Sequence, residues 1–358
     1  MRKLLKSLFG RATSKQTLEI LPQSVKLELS PGQTLLEAAL TNGVPYPHNC
    51  TVGTCGCCKT RLKQGRVTAV SDFGYVLSKQ ELDAGYILAC QAVAQDELTV
   101  VEIADPAANL LSLKKTAGKI ASTDLLTHDI MKVVIELADP LEYLAGQYAT
   151  LRTADIPAGR HYSFADAPLR GGRSSVSFFI RKVPGGAFTE ELFSGALLGK
   201  PLTVEAPFGG FYLRPGNAPM ICVAGGSGLA PLISLLEDAR KHRIRRRCVL
   251  LFGARTQEDL YLLEQISELR QAWPDLFEFV PVLSDAALDS DWTGARGMVT
   301  DYIDSSLDAG GWSTAEAYMC GPPGMIDAGI TRLVSLGMPI DAIFYDKFTS
   351  TAGMGVAA

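Results

Sequence analysis

Residues 50–60 read CTVGTCGCCKT, with cysteines at 50, 55, 57 and 58. Thiols this crowded oxidise readily, so a bound metal or redox chemistry explains them better than surface packing does. Cys50, Cys55 and Cys58 have the spacing C-x4-C-x2-C, and Cys90 follows alone in GYILACQA. That is the plant-type pattern for a [2Fe-2S] cluster, in which each iron takes two thiolates and two bridging sulfides. Zinc usually takes two paired knuckles, and only one closely spaced group is present here. Gly53 and Gly56 suit a loop that turns backbone N–H groups toward anionic sulfur. Cys50, Cys55, Cys58 and Cys90 are the expected ligands. Cys57 is the sulfur left over.

Before the loop, QTLEILPQSVKLELSPGQTLLEAAL gives two alternating apolar runs, a Pro-Gly turn and a short amphipathic helix. After it, TRLKQGRVTAV and ELTVVEI read as further strands. Beyond ADPAANLLSLKKTAG the composition changes. KIASTDLLTHDIMKVVIEL, LAGQYATLRT, SVSFFIRKV and KPLTVEAPFG are short strands separated by turns, as in a small antiparallel barrel. From about residue 215 strands alternate with helices: PMICVAGGSGLAPLISLLEDARKH, RCVLLFGARTQEDLYLLEQISELRQA, FEFVPVLSD and EAYMCGPPGMIDAGITRLVSLG. Such alternation builds a parallel sheet with helices on both faces.

The totals agree with several domains. The chain has 358 residues, 47% of them apolar and 20% charged, which is a globular composition too long for one ordinary core. A formal net charge of -4 argues against a broad nucleic-acid-binding surface. Half of the eight cysteines lie in the opening stretch, unlike a secreted disulfide scaffold, and no cleavable signal peptide is expected at the start. No apolar run reaches the roughly 18–20 residues needed to span a bilayer. Cytoplasmic localisation is expected.

Residues 16–104, with PGQTLLEAAL ahead of the loop, resemble the β-grasp ferredoxins. RHYSFADAP at 160–168 resembles the R-x-Y-S flavin motif of the ferredoxin-NADP reductase superfamily, and AGQYATL, FFIRKVPGGAFT and APFGGF extend the likeness. This implies a flavin site made by Arg160, Tyr162, Ser163, Phe164, Arg181, Gly185, Gly186, Thr189 and Phe208. In that reading Arg160 pairs with a phosphate oxygen, Tyr162 packs on the isoalloxazine, and the Ser163 hydroxyl lies near flavin N5. Thr189 falls near a helix start that favours anions. GGSGLAP at 225–231 and CGPP at 320–323, about ninety residues apart, resemble the nicotinamide domain of the same superfamily. The implied coenzyme site is Gly225, Gly226, Ser227, Gly228, Gly253, Arg255, Cys320, Gly321 and Pro322. Cys320 would lie beside the nicotinamide where hydride passes, and Phe348 or Phe344 would shield the flavin face. Ser163, Cys320 and Phe348 are the catalytic candidates. Cys222 and Cys248 read as small core residues.

The order of parts resembles the reductase components of bacterial multicomponent oxygenases, including the xylene monooxygenase type. The implied layout is a tail at 1–15, a [2Fe-2S] ferredoxin domain at 16–104 and a linker at 105–114. An FAD-binding antiparallel β-barrel at 115–214 and an NAD-binding α/β domain at 215–358 complete it. FAD, rather than FMN, follows from this resemblance alone. Such a protein takes hydride from NAD(P)H onto FAD and passes single electrons through the cluster to an oxygenase or hydroxylase component. In the likeness the partner is a membrane-bound di-iron hydroxylase of hydrocarbon or aromatic oxidation; a Rieske-type dioxygenase or a desaturase is the alternative. A non-catalytic redox sensor is the reading from another class, and it has no use for a hydride path. FGAR…DLY resembles NADH-using reductases, and Glu258 and Asp259 are available for ribose hydroxyls. Arg255 argues the other way, for NADPH. NADH is the expected donor, and a monomer the expected state. The start carries Arg2, Lys3, Lys6, Arg11 and Lys15, with Leu4, Leu5, Leu8 and Phe9 on one side of a helix. It reads either as a peripheral contact at the inner face of the cytoplasmic membrane or as a disordered tail.

Overall fold

The computed structural model describes residues 15–48, 51–53, 56–103, 111–287, 290–308 and 310–348. Cys50, Cys55 and the segment 1–14 lie outside them. The chain divides into two compact units, Met1–Leu110 and Leu111–Ala358.

In the first unit, β1 (Gln16–Leu21) and β2 (Val25–Leu29) form a hairpin whose alternate residues Leu18, Ile20 and Leu29 face the core. Helix α1 (Leu35–Thr41) starts at Thr34, whose hydroxyl accepts from the Glu37 N–H while the Glu37 carboxylate accepts from the Thr34 N–H. That reciprocal cap fixes where the helix begins. Next come β3 (Lys59–Gln64), β4 (Val67–Ala69), α2 (Lys79–Asp83), β5 (Tyr86–Leu88), β6 (Ala92–Ala94) and β7 (Leu98–Ile103). The main sheet has the order β2-β1-β7-β3-β5, with β1 and β7 parallel, and β4 pairs separately with β6.

The second unit opens with an antiparallel sheet. Its strands are β8 (Lys114–Leu125), β9 (Ile130–Leu141), β10 (Tyr148–Arg152), β11 (Arg160–Ser163), β12 (Arg173–Arg181) and β13 (Pro201–Phe208). Helix α3 (Ala187–Phe193) lies between the last two. The order is β11-β10-β13-β8-β9-β12, and a bridge between Phe164 and Phe178 brings the two outer strands together. Val133, Ile135, Phe164, Val176 and Phe178 fill the interior.

The parallel sheet follows: β14 (Met220–Gly225), α4 (Leu229–Lys241), β15 (Cys248–Ala254), α5 (Leu263–Gln271) and β16 (Phe277–Leu283). It ends with β17 (Ala295–Arg296), β18 (Glu316–Gly321), α6 (Pro323–Ser335) and β19 (Ile343–Lys347). The order β17-β16-β15-β14-β18-β19 reverses between β14 and β18, and every pair is parallel. Such a reversal opens a crevice at the carboxyl ends of the two strands. One core cluster joins Ile130, Ala165, Phe179 and Phe211 of the barrel to Leu229, Leu232, Ile233 and Leu236 of α4. Barrel and parallel sheet thus share buried apolar surface.

Candidate functional site

Of the four cysteines expected as ligands, Cys58 and Cys90 are described, and both are buried. The Cys90 N–H donates to Cys58 Sγ at 3.5 Å, which brings the two sulfur-bearing segments together. Gln91 Nε2 reaches Cys90 Sγ at 3.8 Å, and it also donates to the Thr51 carbonyl (3.2 Å) and the Cys90 carbonyl (2.9 Å). Its Oε1 accepts from the Ser71 hydroxyl at 2.9 Å. Gln91 therefore pins the cysteine loop to the rest of the unit, a role without a motif to announce it. Gly53 and Gly56 have φ of 79° and 72°, where a side chain is strained. N–H groups aimed at closely placed sulfurs favour thiolates, which fits an anionic cluster. Cys57 is half-buried, beside the buried Cys58.

In the second unit, the turn after β14 and the turn after β18 meet. A Cβ on Gly228 would lie 2.2 Å from the Cys320 carbonyl oxygen, and one on Gly321 3.1 Å from the Gly225 nitrogen. Only glycines let the backbones approach so closely. Gly225, Gly226, Ser227 and Gly228 lead into α4, and Pro322 caps α6, so two helix N-termini face one crevice and favour anions. Tyr261 donates to the Gly226 carbonyl at 2.9 Å and steadies the turn.

Ser163, the last residue of β11, donates its hydroxyl to Asp346 Oδ2 at 3.2 Å. Asp346 stands opposite Cys320 in the β18–β19 ladder. Ser163, Cys320 and Asp346 thus converge where the barrel meets the parallel sheet. Burial pushes the Asp346 carboxyl up to about 6, against the opposing pull of the Ser163 hydrogen bond. Burial, and then the Asp346 charge, raise the Cys320 thiol well above its ordinary value. The Phe348 N–H donates to the Gly321 carbonyl at 2.9 Å, which puts this residue beside the same turn. Phe344 is occupied elsewhere: its ring packs 5.2 Å from Tyr318, under the Arg214 guanidinium.

The remaining flavin candidates divide. Arg160 and Tyr162 are half-buried on β11, where Arg160 Nη1 donates to the Gly159 carbonyl and the Tyr162 ring lies 5.5 Å from Phe188. Phe208, at the end of β13, packs 5.8 Å from Tyr148. Gly185 has φ of 71° and open space around it, and Gly186 is the residue before α3. Thr189 closes its own turn, its hydroxyl accepting from the Val183 N–H at 3.1 Å. The Phe164 ring is wholly buried and stacked on Tyr143 at 3.8 Å, so its side chain serves the barrel core.

Asp129, Arg181, Gly225, Gly226, Gly253, Arg255 and Pro322 line a cleft of about 190 Å³. Arg181 Nη1 would lie 3.1 Å from a Cβ on Gly226, so this guanidinium reaches the glycine turn. Asp259, available by sequence for a ribose, instead accepts from the Thr256 N–H at 3.0 Å and from Arg255 at 3.0 Å. Glu258 beside it is exposed.

Three family models match in the order of the strands just described. They are the 2Fe-2S iron-sulfur cluster binding domain at residues 18–95, the oxidoreductase FAD-binding domain at 117–212 and the oxidoreductase NAD-binding domain at 222–329. The chain is 39% identical over 334 residues to the xylene/toluene monooxygenase electron transfer component XylA of Pseudomonas putida, covering 93% of this chain and 94% of that one. The chain belongs to the reductase components of multicomponent oxygenases. This reductase is also 34% identical over 340 residues to the ferredoxin–NAD(P)+ reductase component of the naphthalene 1,2-dioxygenase system of Pseudomonas putida, covering 92% and 98% of the two chains. The crystal structure of the Amycolatopsis cytochrome P450 reductase GcoB matches with a TM-score of 0.70 and 32% identity, over 94% of this chain and 99% of that one. The protein is an oxidoreductase with a β-grasp ferredoxin domain, an FAD domain and a parallel-sheet NAD domain, using a [2Fe-2S] cluster, FAD and NAD(P)H. Among the described residues no helix is long and apolar enough to cross a membrane.

Proposed function

We propose that this reductase takes hydride from NADH and delivers single electrons from its ferredoxin domain to a membrane-bound di-iron hydroxylase of hydrocarbon or aromatic oxidation. Flavin, when bound, accepts two electrons as hydride and gives them up singly to a one-electron [2Fe-2S] centre. The observation that carries the reading is the meeting of Ser163 with Asp346 beside Cys320, where a barrel strand end faces the turn after β18. In this reading Arg160, Tyr162, Gly185 and Gly186 hold FAD, with Thr189 fixing their turn. The glycine turn at 225–228, Gly253 and the Gly321–Pro322 turn hold the dinucleotide, and Phe348 covers the flavin face. Ser163 and Asp346 hold a proton at the reacting edge, and Cys320 excludes water there. Cys50, Cys55, Cys58 and Cys90 ligate the cluster. Domain limits at 16–104, 115–214 and 215–358, a monomer, and membrane contact through residues 1–15 belong to the same proposal. The likeness to the xylene/toluene monooxygenase component supports the partner class. A dioxygenase partner is the second reading, supported by the naphthalene dioxygenase relative.

An anaerobic NADH titration followed by absorbance and EPR tests the electron path. Flavin bleaching, a reduced-cluster signal, and about two irons and two sulfides per chain are expected. Protein that stays oxidised under NADH, or that binds zinc instead, refutes the reading. Partner class is read by coupling purified protein to candidate oxygenases. The tail is read by membrane co-sedimentation after deletion of residues 1–15; unchanged sedimentation removes the membrane contact.

A further inference from the structure

Asp129 lies at the tip of the hairpin between β8 and β9. Its Oδ2 accepts from Arg181 Nε at 2.9 Å, with Arg181 Nη2 2.8 Å away, and from Arg255 Nη2 at 3.0 Å. Arg181 ends barrel strand β12, and Arg255 follows β15 of the parallel sheet, so one oxygen ties the two halves across the nucleotide cleft. Arg255 Nη2 also donates to Asp259 Oδ1 at 3.0 Å. An Nη group carries two hydrogens, and both now have carboxylate acceptors. The two arginines and two aspartates sum to zero charge. His128 is a titratable neighbour, with Nε2 3.4 Å from Arg255 Nη2 and Nδ1 3.7 Å from Asp259. The buried Tyr261 phenol, which donates to the Gly226 carbonyl, is another.

Arg255 follows the second strand out from the glycine turn, the position from which a parallel dinucleotide sheet reads the adenosine ribose. NADH and NADPH differ by one phosphate on that ribose. A free guanidinium there would attract the phosphate, whereas one shared by two carboxylates has its charge offset and both Nη2 hydrogens engaged, and the carboxylates themselves repel a phosphate. We propose that Asp129 is a specificity-determining residue for the coenzyme. By holding Arg255 jointly with Asp259, it makes the ribose end of the cleft accept a 2′-hydroxyl and reject a 2′-phosphate. In the sequence Arg255 points to NADPH, against Glu258 and Asp259; in the fold Asp129 joins Asp259 in holding it. Asp129 is a cleaner lever than Asp259, which also caps the turn at Thr256.

This inference rests on NADH as the donor, and the test separates the two. Asp129→Asn removes the charge and keeps the shape. Two quantities are read in wild type, Asp129→Asn, Arg255→Gln and the double variant. One is the NADPH-to-NADH ratio of kcat/KM with ferricyanide; the other is the calorimetric affinity for adenosine 2′,5′-bisphosphate relative to 5′-AMP. Asp129→Asn should move both by about tenfold toward the phosphate, and Arg255→Gln in that background should abolish the gain. If Asp129 is only a latch between the halves, both coenzymes weaken together, the ratios stay put, and the inference fails. A gain that survives in the double variant also overturns it. Wild type that prefers NADPH refutes the donor reading. Wild type that prefers NADH, with unmoved ratios in Asp129→Asn, refutes this inference alone. Asp129→Ser is read in parallel, and the nucleotide titrations need no bound flavin.

Discussion

The Asp346 carboxyl is pushed up to about 6 by burial, so it is protonated at pH 5 and ionised at pH 7.5. Unfolded, the same group titrates near 3.9. Between those values the folded chain binds the extra proton, so stability from this group falls as pH rises from about 4 to about 6. Asp346→Asn has no such proton. The wild-type melting temperature minus that of Asp346→Asn should therefore drop between pH 4.5 and pH 7; a flat difference would refute the shifted carboxyl. The cysteine loop gives a second expectation at this scale. Cys58→Ser should lose most of its iron and the cluster absorbance, while Cys57→Ser should keep both, as iron analysis and EPR will report. The cysteine spacing was legible because three of the four expected sulfurs stand at short, fixed offsets, with Cys90 alone further along the chain. Asp346 was not, because it meets Ser163 across 183 residues and only the strand register brings the two together. Asp129 and Gln91 were hidden for a related reason: their roles come from what folds against them, and neither stands in a motif.

Along the elements, the end of the parallel sheet away from the cleft has its own clamp. Arg246, just before β15, has a fully buried side chain and donates from Nη2 to Glu316 Oε2 at 2.7 Å. Tyr318 donates to the same oxygen at 2.6 Å, and the Arg214 N–H donates to the Tyr318 hydroxyl at 2.9 Å. Arg246 also donates to the carbonyls of Arg214 and Ala218. The chain leading from barrel to sheet is thus fastened to β15 and β18 at once. Removing one partner strands the other charge, so Glu316→Ala should cost about 3–5 kcal/mol in urea unfolding. Arg246→Met combined with Glu316→Leu should recover much of that loss. A single-variant cost below about 1 kcal/mol would mean that water compensates the arginine. The element order itself was readable, since period-2 runs followed by strand–helix alternation separate barrel from parallel sheet. The Phe164 ring was not: an aromatic inside a cofactor motif looks like a ligand until its stack on Tyr143 is seen.

For the molecule as a whole, the division at Leu110 and Leu111 separates two units. Residues 111–358 made alone should reduce ferricyanide with NADH, contain no iron, and show no reduction of an oxygenase component. Failure of that piece to bind flavin would mean that the ferredoxin unit is needed to form the site. Within the second unit the family matches run to 212 and resume at 222, as though barrel and sheet were separable. Their packing says otherwise, because Ile130, Ala165, Phe179 and Phe211 are buried in one cluster with α4. For anyone building chimaeric reductases, the safe crossover lies near residue 110. A splice at 214–215 would mate two unmatched halves of one hydrophobic interior, so a new coenzyme preference is better grafted with its own barrel than without it.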